Sequence, residues 1–283
     1  MATDNITAVN APNLFIDATN GIRYAYRRFG KSGGVPLILM QHFRGNLDFW
    51  DNALLDAFAA EREIIAFDNT GVAATSGKTP DNVRQMARDA ISFIEALKFE
   101  TVDILGFSLG GFVAQDVTLL RPYLVRKLIL AGTGPQGGPG MHGWVKDIAD
   151  AARKADSGGA ELAYIMFKGT PTSQAKGQEY LGRFMARRTD RDAGGTLQTR
   201  DAQYDAVVDW GIPDHSKLQR LAAIEQPTFV ASGDDDRMLP PRLAYIMAGL
   251  IPNAQIKIYP DAAHGFLWQH HREFAADVNS FLG

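Results

Sequence analysis

Short apolar runs and longer amphipathic stretches alternate through the first half of the chain. Leu14-Phe15-Ile16 and the segment Ile22 to Arg28 flank Asn20-Gly21, a turn dipeptide, and predict a hairpin. Val35 to Gln41, Glu63 to Asp68, residues 102–107 and Val125 to Ala131 are short and largely apolar, the pattern of strands buried on both faces. Between them the spacing becomes helical. Residues 47–60 put Trp50, Leu54, Leu55 and Phe58 on one face, and residues 81–97 do the same with Met86, Ala90, Ile91, Ile94 and Leu97. Residues 109–121 repeat Phe112, Val113, Val117 and Leu120 before a stop at Arg121-Pro122. Such alternation implies an α/β fold: a mostly parallel central sheet flanked by helices, joined by right-handed crossovers.

The rhythm breaks at the glycine-rich stretch 132–140. From there to Asp214 the pattern predicts helices at about 142–155, 159–168, 173–188 and 198–210, and no strand. It returns with Leu218 to Ala223, a strand at Thr228 to Ser232, a helix from Pro241 to Leu250, a strand at Gln255 to Tyr259 and a final helix through Phe281. The expected organisation is one core built from 1–134 and 215–283, with a helical block at 135–214 inserted after the sixth strand. There is no internal repeat and no low-complexity tract.

The 283 residues are 46% hydrophobic, enough for a large single core. A net charge of −3, with no basic stripe, argues against nucleic acid as a partner. The absence of cysteine excludes disulfides, thiolate metal sites and cysteine nucleophiles, and fits a reducing compartment. Met1 to Pro12 lack the layout of a signal peptide, and no apolar run is long enough to span a bilayer. A soluble, cytoplasmic protein without a membrane partner is expected.

The chemistry centres on Gly106-Phe107-Ser108-Leu109-Gly110-Gly111, which follows the apolar run Val102 to Leu105 and precedes a helical pattern. A G-x-S-x-G pentapeptide in that context forms a sharp turn that lifts the serine hydroxyl clear of the backbone. A plain glycine-rich turn is the bland reading of the same residues. A serine hydroxyl needs a base, and the base needs an orienting carboxylate, in the chain order serine, acid, histidine for this arrangement. Of the six histidines only His264, His270 and His271 follow both the serine and a plausible acid. His264 lies in a loop after the last strand, whereas His270 and His271 fall in the predicted final helix and are expected to face solvent. Asp234, Asp235 and Asp236 follow the strand at Thr228 to Ser232, and one of them is also suited to capping the next helix. Asp236 is preferred as the acid, with Asp235 second. Asp261 is too close to His264 in sequence for the pairing. The helix-opening Leu109 offers a free backbone N–H to an oxyanion. A second donor is expected from the loop Gln41 to Gly45.

Together, Gly106 to Gly111, Asp236-Arg-Met-Leu-Pro240, Asp261-Ala-Ala-His-Gly-Phe266 and Phe67-Asp68-Asn69-Thr70-Gly71 resemble the α/β-hydrolase family, over nearly the whole chain. The chain looks most like bacterial carboxylesterases and cofactor-free haloperoxidases. The resemblance implies Asp236 as the acid and a helical cap for residues 135–214. Gln41-His42 stands where the family commonly has His-Gly, with Trp50 fixing the register. Phe43 then takes the oxyanion position, and His42 brings a side chain near the pocket, either as a substrate contact or as packed support. His42, Trp144 and Leu239 are the candidate pocket residues. Among Trp144, Met166, Phe167, Phe184, Met185, Tyr204 and Trp210, two or three are expected to line the pocket and the rest to form the cap's own core.

The leading expectation is a carboxylesterase that acts on a small-molecule ester with Ser108, His264 and Asp236, needs no cofactor and holds no metal. The same residues would serve a carbon–carbon hydrolase, lactonase, amidase or perhydrolase. Dehalogenases and epoxide hydrolases of this kind need aspartate where Ser108 stands. A small-molecule receptor on the same fold is the non-enzyme alternative. A metal enzyme is disfavoured by the lack of H-x-x-x-H or H-x-H spacing.

Overall fold

The structure is a computed structural model, described here for residues 6–283. The core opens with strands β1 (Leu14–Asp17), β2 (Arg23–Gly30) and β3 (Leu37–Met40), helix α1 (Asn52–Ala59) and strand β4 (Glu63–Phe67). It continues with α2 (Val83–Ala96), β5 (Val102–Phe107), α3 (Leu109–Leu120) and β6 (Val125–Ala131). Between β6 and the next strand come α4 (Lys146–Arg153), α5 (Gly159–Met166), α6 (Pro171–Phe184), α7 (Leu197–Trp210) and the short α8 (His215–Leu218). The core resumes with β7 (Thr228–Gly233), α9 (Arg242–Leu250), β8 (Ala254–Tyr259), α10 (Phe266–Gln269) and α11 (His271–Leu282).

The eight strands form one sheet in the order β1-β2-β4-β3-β5-β6-β7-β8. β2 runs antiparallel to β1 and β4, and every other pairing is parallel. Every residue of β3, β4 and β5 is buried, because helices cover both faces of the sheet and leave no polar side to alternate with. The exposed edge behaves differently: β1 alternates half-buried and exposed positions. From β3 the chain first builds outward to β4 and then crosses back to β5 on the other side. The carboxyl ends of β3 and β5 therefore flank the point where strand order reverses, the usual place for a ligand crevice in such sheets.

Several expected helices are shorter or broken, each for a local reason. The helix expected at 47–60 splits in two. Asn46 caps a 3-10 turn at Leu47–Phe49, and Asp51 then starts α1 afresh by accepting the Ala53 N–H at 3.0 Å. In place of a helix from 142, α4 begins at Lys146, since Gly140 and Gly143 hold positive φ (74° and 86°) that no helix tolerates. α6 begins at Pro171, pre-set for a first turn, behind the cap residue Thr170. The final helix is interrupted at His270. Neither His270 nor His271 faces open solvent, contrary to the sequence expectation. Both are partly buried, with ring nitrogens 3.0 Å from the Pro260 carbonyl and 3.3 Å from the Trp268 carbonyl respectively.

The glycine-rich stretch opening the helical insertion is packed, not loose. The Gly137 N–H donates to the Trp210 carbonyl (2.9 Å) and the Gly137 carbonyl accepts from Asp214 N–H (3.2 Å), so the two ends of the insertion are bonded to each other. Trp210 also stacks on Phe112 of α3 (5.3 Å between centroids) and donates its indole N–H to the Gly134 carbonyl (3.2 Å). Arg183 in α6 forks onto buried Asp51 at 2.8 and 2.7 Å, tying the insertion to the start of α1.

Candidate active site

Ser108 sits between β5 and α3 with φ 56° and ψ −119°, a conformation that costs a non-glycine residue about 1–3 kcal/mol. The surroundings hold it there. Its N–H donates to the Ala131 carbonyl (2.9 Å), and its carbonyl accepts from Gly111 N–H (2.8 Å) and the Thr133 hydroxyl (2.8 Å). The flanking glycines are required by contact. A Cβ on Gly106 would lie 2.4 Å from the Gly110 carbonyl oxygen, and one on Gly110 would lie 2.1 Å from that of Met40. Strand, turn and helix thus pack backbone against backbone.

The three aspartates after β7 divide their work. Asp234 accepts N–H bonds from Asp261 (2.9 Å) and Ala262 (3.0 Å), which fixes the loop that carries His264. Asp235 is exposed, with Lys168 Nζ at 4.0 Å. Asp236 is buried, and one carboxylate oxygen accepts from the N–H groups of Met238 (2.9 Å) and Leu239 (2.8 Å). The other lies 2.6 Å from Nδ1 of His264, whose side chain is fully buried. A carboxylate there favours the tautomer with the proton on Nδ1, leaving the Nε2 lone pair free. Nε2 of His264 has no hydrogen-bond partner among the described residues. The Ser108–His264 bond expected from the sequence is therefore not closed, although both residues line one cavity. Such bonds are often long before substrate binds.

That cavity has a volume of about 340 Å³. Phe49, Leu162, Met166, Phe184 and Met238 give it apolar walls, and His42 and Phe43 sit beside the serine and the histidine. The backbone N–H groups of Phe43 and Leu109 have no partner among the described residues. Trp144 and Leu239 are not among the lining residues. Trp144 packs behind Phe43 (5.1 Å between centroids), and Leu239 contributes its N–H to Asp236 while Met238 faces the cavity.

His42 is caged by the rings of Phe49, Phe107 and Trp268, at 5.3–5.5 Å between centroids. Burial pulls its pKa down to about 3, with the nearby His264 adding to the effect, so the ring is neutral. Its Nδ1 lies 2.8 Å from the Phe43 carbonyl and must donate to it, since a carbonyl can only accept.

The loop after β3 is braced from below. Asp68, at the end of β4, accepts the Leu47 N–H at 2.9 Å. Asp48 pairs with Arg27 at 2.8 Å and accepts the Asp192 N–H at 2.8 Å. Burial raises the Asp192 carboxyl to about 6, with the neighbouring Asp48 adding to it. Burial and the charge of Asp192 likewise raise Asp68 well above the carboxylate range. Among the described residues no group of histidine and acidic side chains is arranged to hold a metal, and no helix is long and apolar enough to cross a membrane.

The model of the alpha/beta hydrolase fold family matches residues 35–271 of the sequence. The chain belongs to that family. A solved alpha/beta hydrolase fold protein from Chitinophaga pinensis is 38% identical, with a TM-score of 0.92 over 98% of this chain and 99% of its own. A putative carbamate hydrolase, RutD, of Azorhizobium caulinodans is 25% identical over 82% of this chain and 85% of its own. A poly(3-hydroxyalkanoate) depolymerase of Ectopseudomonas oleovorans is 27% identical over 92% and 88%.

In this alpha/beta hydrolase, sequence reasoning missed Arg44, Phe49, Met238 and the glycine pair Gly194-Gly195, all of which line the cavity. They come from separate segments that meet only in the folded chain, so no local pattern marks them. One signal was available for Arg44, which lies four residues past the end of β3 and directly follows the expected oxyanion donor.

Proposed function

We propose that the protein is a serine hydrolase that cleaves small carboxylic esters through an acyl-enzyme intermediate. The observation that carries this reading is the 2.6 Å contact between Asp236 and His264 at the edge of the cavity that Ser108 lines. In the proposed reaction the Ser108 oxygen attacks the ester carbonyl while its proton passes to His264 Nε2. Asp236 stabilises the imidazolium through Nδ1–H. The N–H groups of Phe43 and Leu109 hold the oxyanion, each contributing about 2.7–4 kcal/mol as judged from comparable donors. The leaving alcohol takes the proton from Nε2. Water, deprotonated by the same nitrogen, then attacks the acyl carbonyl, and collapse returns the proton to Ser108. Residues 135–214 act as a cap that keeps bulk water from the acyl group.

The apolar walls suit a carbon chain on either side of the scissile bond, and the polyester-cleaving relative fits ester chemistry. The deciding experiment treats the wild-type chain and Ser108→Ala with a fluorophosphonate probe and with p-nitrophenyl butyrate. Labelling at Ser108 together with turnover, both lost in the variant, is expected. Labelling without turnover of any ester in a panel would favour a receptor, and turnover by Ser108→Ala would remove the mechanism.

A further inference from the structure

Gln203 lies on α7 of the helical insertion, remote in sequence from the loop after β3, yet its side chain is wholly buried against that loop. Its Oε1 accepts the Arg44 N–H at 2.6 Å. Its Nε2 has no partner among the described residues, so the carbonyl end alone is in use. The peptide group it holds is the one joining Phe43 to Arg44. The other end of that same peptide, the Phe43 carbonyl, accepts from His42 Nδ1 at 2.8 Å. The two bonds grip one peptide plane from opposite sides.

The grip has something to oppose. A bond from Gly45 N–H to the His42 carbonyl (3.0 Å) closes a four-residue turn with Arg44 at its third position. Arg44 stands at φ 61°, where glycine is the comfortable residue. Left alone, an arginine there favours flipping the peptide, a rotation about Phe43 ψ that disturbs the turn directly beside the Phe43 N–H. The arginine also reaches into the insertion: its guanidinium donates to the carbonyls of Ala152 (3.1 Å) and Lys154 (2.8 Å) at the end of α4. α7 in turn is fixed to the core, since Thr199 donates its hydroxyl to the Gly71 carbonyl at 3.1 Å.

We infer that Gln203 is a positioning residue for the reaction: with His42 it locks the Phe43–Arg44 peptide so that the Phe43 N–H is held ready for the oxyanion. The insertion then does more than cover the cavity, because it supplies one half of the clamp that sets the oxyanion loop. His42 acquires a defined role as the other half. This rests on the serine-hydrolase reading above.

The test is steady-state kinetics on p-nitrophenyl butyrate with Gln203→Met, Gln203→Glu and His42→Phe, together with inhibition by an alkyl boronic acid, which forms a tetrahedral adduct on the serine. Gln203→Met keeps the volume and loses the acceptor, so kcat should fall about ten- to a hundredfold with KM changed less than twofold. Boronic acid affinity should fall by a similar factor. Gln203→Glu keeps an acceptor oxygen and should recover most of the loss. His42→Phe should show the same split and stands in should Gln203→Met fail to fold. Unchanged kcat in Gln203→Met, or equal losses in Gln203→Met and Gln203→Glu, would overturn the inference. A wild-type chain inert to ester and fluorophosphonate alike would instead overturn the reading beneath it, and the clamp's purpose with it.

Discussion

Asp236 and His264 meet at 2.6 Å with both side chains closed to solvent, and the second oxygen of Asp236 is already committed to two backbone N–H groups. The carboxylate therefore cannot rotate away from the imidazole without abandoning both. Asp236→Asn leaves the shape in place but offers an amide N–H to Nδ1, which selects the wrong tautomer. An ester assay should show kcat lowered on the order of 10⁴-fold. Asp235→Asn, at an exposed carboxylate, should leave kcat within twofold. A reversed outcome for the two variants would reassign the acid.

Gly110 bears the closest backbone approach at the turn. Adding one methyl puts a carbon 2.1 Å from the Met40 carbonyl oxygen and 2.5 Å from its carbon, and neither is the end of a flexible side chain. Overpacking of this kind costs typically 1–3 kcal/mol, and each kcal/mol lowers the melting temperature of a chain this size by about 2–4 °C. Gly110→Ala should melt several degrees lower and lose most activity, because β3 and α3 can separate only by moving the serine. An unchanged melting curve would show that the elbow has slack.

Asp192 gives stability a pH dependence of definite sign. Its folded pKa, raised to about 6, lies above the unfolded value of about 3.9. Between those values the folded state binds more protons than the unfolded one, so this group's contribution falls as pH rises from about 4 to about 6 and is flat above. Asp68, raised by its burial and by the charge of Asp192, shifts in the same direction. Melting temperatures of wild type and Asp192→Asn from pH 4 to 8 should diverge in the variant's favour as pH rises. Parallel curves would refute the assignment.

The cavity also predicts a chain-length preference. Within about 340 Å³ of mainly apolar space, each added methylene that fits contributes about 0.8 kcal/mol to binding, until the walls are reached. A p-nitrophenyl ester series should show kcat/KM rising and then dropping with acyl length. Phe184 forms part of the wall and packs on Phe49 (5.0 Å between centroids). Phe184→Ala should move the optimum to longer chains, and an unmoved optimum would place the acyl group elsewhere.

The middle of the sheet was legible because its central strands are buried on both faces and so read as unbroken apolar runs, as at Ile64, Ile65 and Ala66 of β4. The serine turn was legible because both glycines stand in one pentapeptide, Gly106 demanded by Gly110 four residues on and Gly110 by the Met40 carbonyl of the neighbouring strand. The cavity was not. Of the seven large apolar residues singled out in the insertion, Met166 and Phe184 line it, whereas Met185 is exposed and Trp210 stacks on the core. Which face of an insertion helix meets the pocket depends on how the helices dock, and α7, buried in part through Thr199 and Gln203, carries no clean apolar stripe to declare it. The polar clamp on the Phe43–Arg44 peptide joins residues 159 positions apart and leaves no mark in either segment.

The helical insertion separates Ser108 from Asp236 and His264 along the chain, since it lies between β6 and β7. A ribosome thus makes Ser108 first, then the helical insertion, and only afterwards the strands β7 and β8 that carry Asp236 and His264 at their ends. A growing polypeptide stopped anywhere before Asp236 would hold a serine with neither partner, an ordinary alcohol. On the proposed mechanism, activity waits until β7, β8 and the loops that follow them have been made and folded onto the elbow.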